Sequence, residues 1–495
     1  MAKPVATKIL ARYNISPPPD STPSTSLPLT FFDIPWLFFS PTQPLFFYQY
    51  PHSTYHFLSS TLPTLIHSLS LTLHQFFPFA ANLVLPLGSN KPIISYNQDN
   101  SVSLTVAESD ADFFYLSDNH QRWAYQFHAL LPELSSTTRG SMKQEQGIPL
   151  FAAKLTIFPN YGVCVGLAYH HVVADGRTFN NFIKTWASLH RQQYCSSSSS
   201  SSIRSSPSYD RTVIKDTHGL ESIFLKEYWC IRKLSMDING DGLVIGCNNA
   251  NADLCDDMVR ATFVMSPTDM AKIKQWIINQ CKEKKKPEPT HLSPYNLACS
   301  LSWVCLMKTN DEEKRLELIE EEEEEDPTYL GFNAGGISRL DYPDSYFGNC
   351  IGFARCMVIR RELLGEDGII VAASVIGNKI KEVNKAILEG AEKWISDWVV
   401  FSKSEKKKKK VHVMVVGSPK VDFYETDFGW GRPKKIEEIS IDHGNGNAIS
   451  LTESRDIKGG IEVGLALSKP KMDAFASAFT RSLELMKSND DFFLT

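Results

Sequence analysis

The sequence predicts a two-domain α/β protein. Three observations carry that expectation: the chain length, alternation between strand-like and helix-like apolar spacing, and a serine tract near the middle. At 495 residues the chain exceeds what one hydrophobic core usually supports, so two domains or one large α/β body follow. From Thr54 onward, apolar residues recur at helical spacing through Leu58, Leu62, Leu65, Ile66, Leu69 and Leu73, a pattern that Pro78 ends. Residues 151–158 and 163–169 read as strands joined by Pro159-Asn160-Tyr161-Gly162, a strong turn signal. Beyond Asp175-Gly176 the period changes, with Phe179, Phe182, Ile183 and Trp186 on one helix face. A polar cluster therefore sits where a strand, a turn and a helix meet. Ser196 to Ser202 is an unbroken serine run that cannot build a packed core. Residues 192–208 are accordingly expected to link an N-terminal domain, 1–191, to a C-terminal domain, 209–495.

Charge and composition exclude several function classes. Lys plus Arg number 51 against 56 Asp plus Glu, a net charge of −5. No basic stripe interleaves with aromatics, so nucleic acid is not an expected partner. None of the ten cysteines forms a C-x-x-C pair; they read as reduced thiols, and no metal site is expected. His52 and His56 have i, i+4 spacing but lack the glutamate of H-E-x-x-H and a third ligand. Lys3, Lys8 and Arg12 interrupt an N-terminus without an apolar segment, unlike a secretory signal. The apolar region 27–48 is broken by Pro28, Asp33, Pro35, Pro41 and Pro44, whereas a membrane span needs roughly 20 uninterrupted apolar residues. A soluble, cytoplasmic protein is the expectation. The runs 320–326 (acidic) and 406–410 (basic) read as solvated loops.

The richest chemistry lies in Tyr169-His170-His171-Val172-Val173-Ala174-Asp175-Gly176-Arg177. A histidine with a carboxylate four residues later can offer one imidazole nitrogen to a substrate while the acid fixes the loop or the tautomer. Chance alone delivers roughly one H-x-x-x-D in a chain of this size, but here it falls where a strand runs into a turn, the usual position of α/β sites. A second segment, Val421 to Gly431, contains Asp427-Phe428-Gly429-Trp430-Gly431. Its two glycines permit positive φ, and Asp427 can accept backbone or arginine hydrogen bonds that lock the turn. Asp427-Phe428-Gly429 also matches a kinase triplet, but no G-x-G-x-x-G-x-V loop and no H-R-D element accompany it.

These two segments, in this order, resemble the signatures of the BAHD family of plant CoA-dependent acyltransferases, H-x-x-x-D and D-F-G-W-G. Leu29-Thr30-Phe31-Phe32-Asp33-Ile34-Pro35-Trp36-Leu37, Tyr346-Phe347-Gly348-Asn349-Cys350 and the stretch from Ile449 through Glu453-Ser454-Arg455-Asp456 to Phe475 are also similar to the family. The resemblance therefore extends over almost the whole chain. It implies a chloramphenicol acetyltransferase-like fold with the site between two similar-sized domains. Tyr346 to Cys350 is similar to the branch that acylates flavonoid, anthocyanin and other phenolic glucosides, and a basic residue at Arg177 is characteristic of malonyl-CoA users. Residues 332–339 are looser than the family's D-x-R-x-R-like segment, which puts a role for Arg339 in doubt.

The resemblance implies direct acyl transfer in a ternary complex, without an acyl-enzyme. His171 would be the general base toward a sugar hydroxyl, contributing about 10² to 10⁴ in rate, and the proton would later reach the departing CoA thiolate. Asp175, by the same resemblance, would shape the site, turned away from the reacting centre and paired with an arginine. Asp427, with Phe428, Gly429, Trp430 and Gly431, would support it from the CoA side. Arg177 would bind the malonyl carboxylate through charge-assisted hydrogen bonds worth roughly 1.5 to 3 kcal/mol. His170 is expected to be structural, because adjacent strand residues face opposite ways. Phe31 to Phe39 are expected in the core, though a pocket for a phenolic ring would use the same residues. The expected partners are malonyl-CoA as co-substrate and a phenolic glucoside, with no permanently bound cofactor and a monomeric state. Competing readings are an acetyl- or hydroxycinnamoyl-CoA donor, a hydrolase, disfavoured by the absence of G-x-S-x-G, and a non-catalytic binding relative.

Overall fold

Every side chain of Phe151–Phe158 and Gly162–Tyr169 is buried, as in strands covered on both faces. In the computed structural model, which describes residues 6–134, 147–192, 206–239, 257–316, 326–398, 411–444 and 447–488, they lie centrally in a six-stranded mixed sheet. Its order is Thr7–Ile15, Val102–Ser109, Phe151–Phe158, Gly162–Tyr169, Pro44–Gln49, Lys435–Glu438. The turn expected between the central pair is present, with Asn160 at φ 68°, a conformation asparagine tolerates. The serine run 196–202, the acidic residues 320–325 and the basic run 406–410 lie outside the described residues.

The predicted amphipathic helix spans Leu62–Gln75 and buries Leu62, Leu65, Leu69 and Leu73. It is preceded by a widened turn, Phe57–Thr61, in which Leu62 N–H reaches back to Phe57 O. Pro63 explains the widening, since it has no N–H for the helical ladder. Beyond Pro78 the chain becomes extended, and Asn82–Val84 joins a four-stranded sheet with Thr25–Pro28, Ile93–Tyr96 and Ile148–Pro149. The helix Gly176–Gln192 buries Phe179, Phe182, Ile183 and Trp186. It packs on Leu62–Gln75, to which Trp186 Nε1 donates at Leu65 O, 3.2 Å.

A seven-stranded sheet forms the second layer system, in the order Ile351–Ile359, Pro327–Gly335, His412–Val416, Ala448–Glu453, Ile461–Ser468, Met258–Met265, Arg122–Trp123. Its core takes side chains from the helices Pro294–Leu316, Gly368–Lys385 and Lys469–Ser488. Among the described residues no helix is long and apolar enough to cross a membrane.

Each large sheet borrows its last strand from the distant part of the chain. Lys435–Glu438 pairs with Pro44–Gln49, and Arg122–Trp123 pairs with Met258–Met265. The second pairing sets Arg122 directly opposite Arg260, both fully buried, a repulsive arrangement by itself. Glu437, from the other borrowed strand, resolves it: one carboxylate oxygen lies 2.8 Å from Arg122 Nη1 and the other 3.0 Å from Arg260 Nη2. Burial alone would push the Glu437 carboxyl up, but Arg122, Arg260 and Lys435 overcome it and hold the group at about 2. Replacing Glu437 by leucine leaves the buried Arg122 without a carboxylate partner among the described residues, while Arg260 keeps its pair with Asp442. The expected loss is about 3–5 kcal/mol of unfolding free energy, read by denaturant titration; a loss under 1 kcal/mol contradicts the role of Glu437 as the pin between the sheets.

Candidate active site

Strand Gly162–Tyr169 delivers the histidine pair. His170 N–H bonds Leu150 O at 2.9 Å, and Val173 N–H closes a turn on His170 O at 3.0 Å. The two neighbours part ways as their alternation requires: His170 is 1% exposed, whereas His171 is only half-buried. The turn ends at Asp175, whose Oδ1 accepts from Thr178 N–H at 2.8 Å and satisfies a donor of the first turn of Gly176–Gln192.

The His171 ring is fixed on two sides. Its face stacks on Trp36, with centroids 3.6 Å apart and planes 14° apart. Its Nδ1 lies 3.0 Å from Asn349 Oδ1. The sense of that bond follows from the other end of the amide. Asn349 Nδ2 donates to Asp33 Oδ1 at 2.9 Å and to His171 O at 2.8 Å. Flipping the amide would set its oxygen against the Asp33 carboxylate and a carbonyl. Asn349 Oδ1 is therefore the acceptor and His171 Nδ1 carries the hydrogen. In the neutral ring the lone pair is left on Nε2, which makes no hydrogen bond to any described residue. Burial pulls the imidazole down to about 4, against the smaller opposing pulls of Asp175, of a hydrogen bond with the ring's own backbone, of Asn349 and of Asp33, so the ring is a free base at neutral pH.

Asp175 stays close to this centre without touching the imidazole. Its Oδ2 accepts from Cys350 N–H at 3.2 Å, so the carboxylate ties the helix start to the loop that carries Asn349. The arginine partner expected for it is absent among the described residues; two backbone N–H groups take that place. Arg339 lies elsewhere, bonded to Asn384 Oδ1 at 2.7 Å. Arg177 grips the same loop from outside, donating from Nη1 to Asp344 O at 2.8 Å and from Nη2 to Tyr346 O at 2.6 Å. Its Nε is buried with no described partner. A cavity of about 230 Å³ adjoins this loop, lined in part by Thr178, Asn181, Asp344, Tyr346 and Phe347.

Asp427 sits at the other end of the helix Gly176–Gln192 from Asp175. It meets Arg191 at 3.4 Å, sixteen residues along the helix from Asp175, or about 24 Å along the axis. Asp427 Oδ1 accepts from Gly429 N–H at 2.7 Å and Gly431 N–H at 2.9 Å, and these glycines adopt φ 96° and 84°. The carboxylate locks a turn that other residues would strain. Phe428 is fully buried against Trp186 and Tyr48 and stacks on Trp430 at 5.4 Å; its carbonyl accepts from His190 Nδ1 at 2.6 Å. Upstream, Asp422 bonds Asn180 Nδ2 at 3.1 Å and Lys184 Nζ at 2.5 Å. The segment from Asp422 to Gly431 thus lies along Gly176–Gln192 as a strap, and its motif closes the far end.

A fold of two mixed sheets joined by exchanged strands, with a histidine whose Nε2 is left open at a strand end, defines a class that comparison with known proteins names. The chain belongs to the Transferase family, the BAHD acyltransferases, whose pattern it matches over residues 7–482. It is 35% identical to the malonyl-coenzyme:anthocyanin 5-O-glucoside-6'''-O-malonyltransferase of Salvia splendens, over 96% of either chain. A coumaroyl-CoA:anthocyanidin 3-O-glucoside-6''-O-coumaroyltransferase of Arabidopsis thaliana is 34% identical, over 96% of this chain and 97% of its own. The phenolic glucoside malonyltransferase 1 of Nicotiana tabacum is 33% identical, over 97% and 99%. Among solved structures, vinorine synthase shares the fold with a TM-score of 0.61 at 16% identity, over 95% of this chain and 96% of its own.

Sequence reasoning placed His171, Asp175 and Arg177 around one loop but missed Asn349, Asp33 and Trp36 as parts of the site. The signal was in the family-like segments themselves: an aspartate inside an otherwise apolar run, and an asparagine after Gly348. Both are fully buried polar residues, which need partners. Because burial keeps the His171 imidazole deprotonated well below neutrality, a kcat/KM that depends on this ring is expected to stay flat on acidification to about pH 5. It should then fall tenfold per pH unit below about 4, where the imidazole takes up its proton. A limb near pH 6.5, that of an unperturbed histidine, contradicts the lowered pKa of the stacked His171 ring.

Proposed function

We propose that this chain transfers a malonyl group from malonyl-CoA to a sugar hydroxyl of a phenolic or flavonoid glucoside, with His171 as general base. The observation that carries the reading is the open Nε2 of His171, left as the lone-pair nitrogen by Asn349. A sugar hydroxyl is a poor nucleophile until its proton is drawn away during attack. Nε2 takes that proton as the oxygen adds to the thioester carbonyl, and returns it to the CoA thiolate as the carbon–sulfur bond breaks. Holding both substrates against one base supplies much of the remaining acceleration. No nucleophilic side chain is needed, and burial pushes the neighbouring Cys350 thiol up to about 12, so it is no nucleophile at neutral pH.

In this reading Asp175 and Asp427 shape the site from the two ends of one helix, and Phe428, Gly429, Trp430 and Gly431 seat its far end. The malonyl preference rests on Arg177 and on relatives named for malonyl transfer to glucosides. The Nε–H of Arg177 has no described partner, and a carboxylate is the chemistry that would use it. A coumaroyl donor is the second reading, favoured by the Arabidopsis relative of equal similarity; it gives Arg177 no anion to meet. The proposal also takes the protein as a cytoplasmic monomer without resident cofactor, in two domains joined through residues 192–208.

His171→Ala is expected to lower turnover with malonyl-CoA at least about 100-fold; unchanged turnover would falsify the base assignment and favour a binding role. Arg177→Ala is expected to reduce the malonyl over acetyl preference by about 10- to 150-fold, measured as a ratio of kcat/KM. An unchanged ratio removes Arg177 from donor recognition and leaves His171 in place.

A further inference from the structure

Arg211 stands just after residues 192–208, the crossover expected between the two domains, opening the short turn Arg211–Val213, and is only 9% exposed. Its Nη1 lies 3.3 Å from Asp33 Oδ2 and 2.7 Å from the Tyr346 hydroxyl, and the guanidinium sits over the Tyr346 ring. Both Nε and Nη2 are buried without a described partner. A guanidinium buried with two idle donors is costly, so packing alone gives no reason for an arginine here. Its one counter-ion gives a reason. Asp33 is completely buried and divides its oxygens between two tasks. Oδ2 receives Thr30 N–H and Oγ1, each at 2.8 Å, together with Arg211. Oδ1 receives Asn349 Nδ2 at 2.9 Å and Asn349 N at 3.3 Å.

The same crossover stretch is stitched to the loop that carries Asn349. Ser208 N–H bonds Ser345 O at 2.7 Å, and Phe347 N–H bonds Ser208 O at 2.9 Å. Gly348, at φ 123°, lies so close to Arg211 that a Cβ there would collide with Nη1. An unbroken line of polar contacts therefore runs from the end of the crossover to the reacting imidazole: Arg211, Asp33, Asn349, His171.

We propose that Arg211 is a positioning residue for the transfer reaction: paired with Asp33, it locks the Asn349 amide and hence the Nδ1–H tautomer of His171, so the base is competent only with residues 208–211 docked on the loop that carries Asn349. The proposal rests on His171 being the base. Without the guanidinium, the anion that orders the Asn349 amide loses its counter-charge. The carboxylate is then no longer held in place by Nη1, the Asn349 amide loses its fixed anchor, and the ring hydrogen is no longer confined to Nδ1; any share of the Nε2–H tautomer lacks the lone pair a base needs there.

The test uses the full chain with ¹⁵N-labelled histidine. Long-range ¹H–¹⁵N correlation reports the tautomer, and the His171 signals are assigned by their loss in His171→Ala. The wild type should show Nδ1–H alone. Arg211→Met should show a mixture or the reversed tautomer, with kcat for malonyl transfer to a naphthyl glucoside down about 100-fold, since a wrong tautomer disables a base, and KM for malonyl-CoA within about twofold. Arg211→Lys, which keeps the charge, should recover most of both. Gly348→Ala pushes the guanidinium aside without deleting it and should move the tautomer the same way, which covers a failure of the methionine variant to fold. A pure Nδ1–H tautomer in Arg211→Met, or in Gly348→Ala if the former does not fold, overturns the proposal. If His171→Ala keeps full activity, the base assignment falls, while the tautomer result still decides what Arg211 does.

Discussion

The direction of one hydrogen bond, from His171 Nδ1 to Asn349 Oδ1, decides what this site can do. An imidazole has two nitrogens and, when neutral, one hydrogen; which nitrogen is basic depends on what the other one meets. Here the choice is made by a buried anion two residues removed from the chemistry. Asp33 accepts the Asn349 amide hydrogens, the amide oxygen is turned to the ring, and Nε2 is left with its lone pair. The familiar alternative, a carboxylate held directly on the imidazole, would make a stronger base. An amide orients the ring without adding charge, and burial lowers the ring's basicity, so the neutral form dominates well into acid.

The second organising element is the helix Gly176–Gln192. Asp175 caps its start beside His171, and Arg191 near its end meets Asp427. Between them, Asn180 and Lys184 hold Asp422, and Trp186 and His190 hold Phe428. The strap is continuous in sequence with Lys435–Glu438, the strand given to the six-stranded sheet, whose Glu437 pins Arg122 and Arg260. One stretch of chain therefore both closes the far end of the helix and locks the sheets together. Asp427, remote from His171, shapes a turn whose phenylalanine anchors the strap.

Much of the fold near the site was legible in the sequence because local signals agreed there. The central strands, the turn at Asn160, the apolar face of Gly176–Gln192 and the positive-φ turn around Trp430 each follow from spacing or from residue type. The strand exchanges were not legible. Arg122–Trp123 is two residues long, and Lys435–Glu438 is charged at three of its four positions, so neither carries the apolar alternation by which a strand is recognised. Their pairing is decided by a buried ion cluster that forms only when distant parts of the chain meet. The site divided the same way. His171, Asp175 and Arg177 share one loop and could be grouped by proximity. Asn349, Asp33 and Arg211 converge from three separate stretches, and nothing in their local spacing says so.

The central claim is that an acyl group passes directly from one bound substrate to the other while one open imidazole nitrogen carries the proton. The most direct measurement is mass spectrometry of the protein incubated with malonyl-CoA and a mixture of phenolic glucosides, following small molecules and intact protein together. The account predicts one malonyl increment on a glucoside, carried on its sugar, with the protein mass unchanged at every time point. A malonylated protein, or free malonate accumulating while every glucoside stays unmodified, would contradict it.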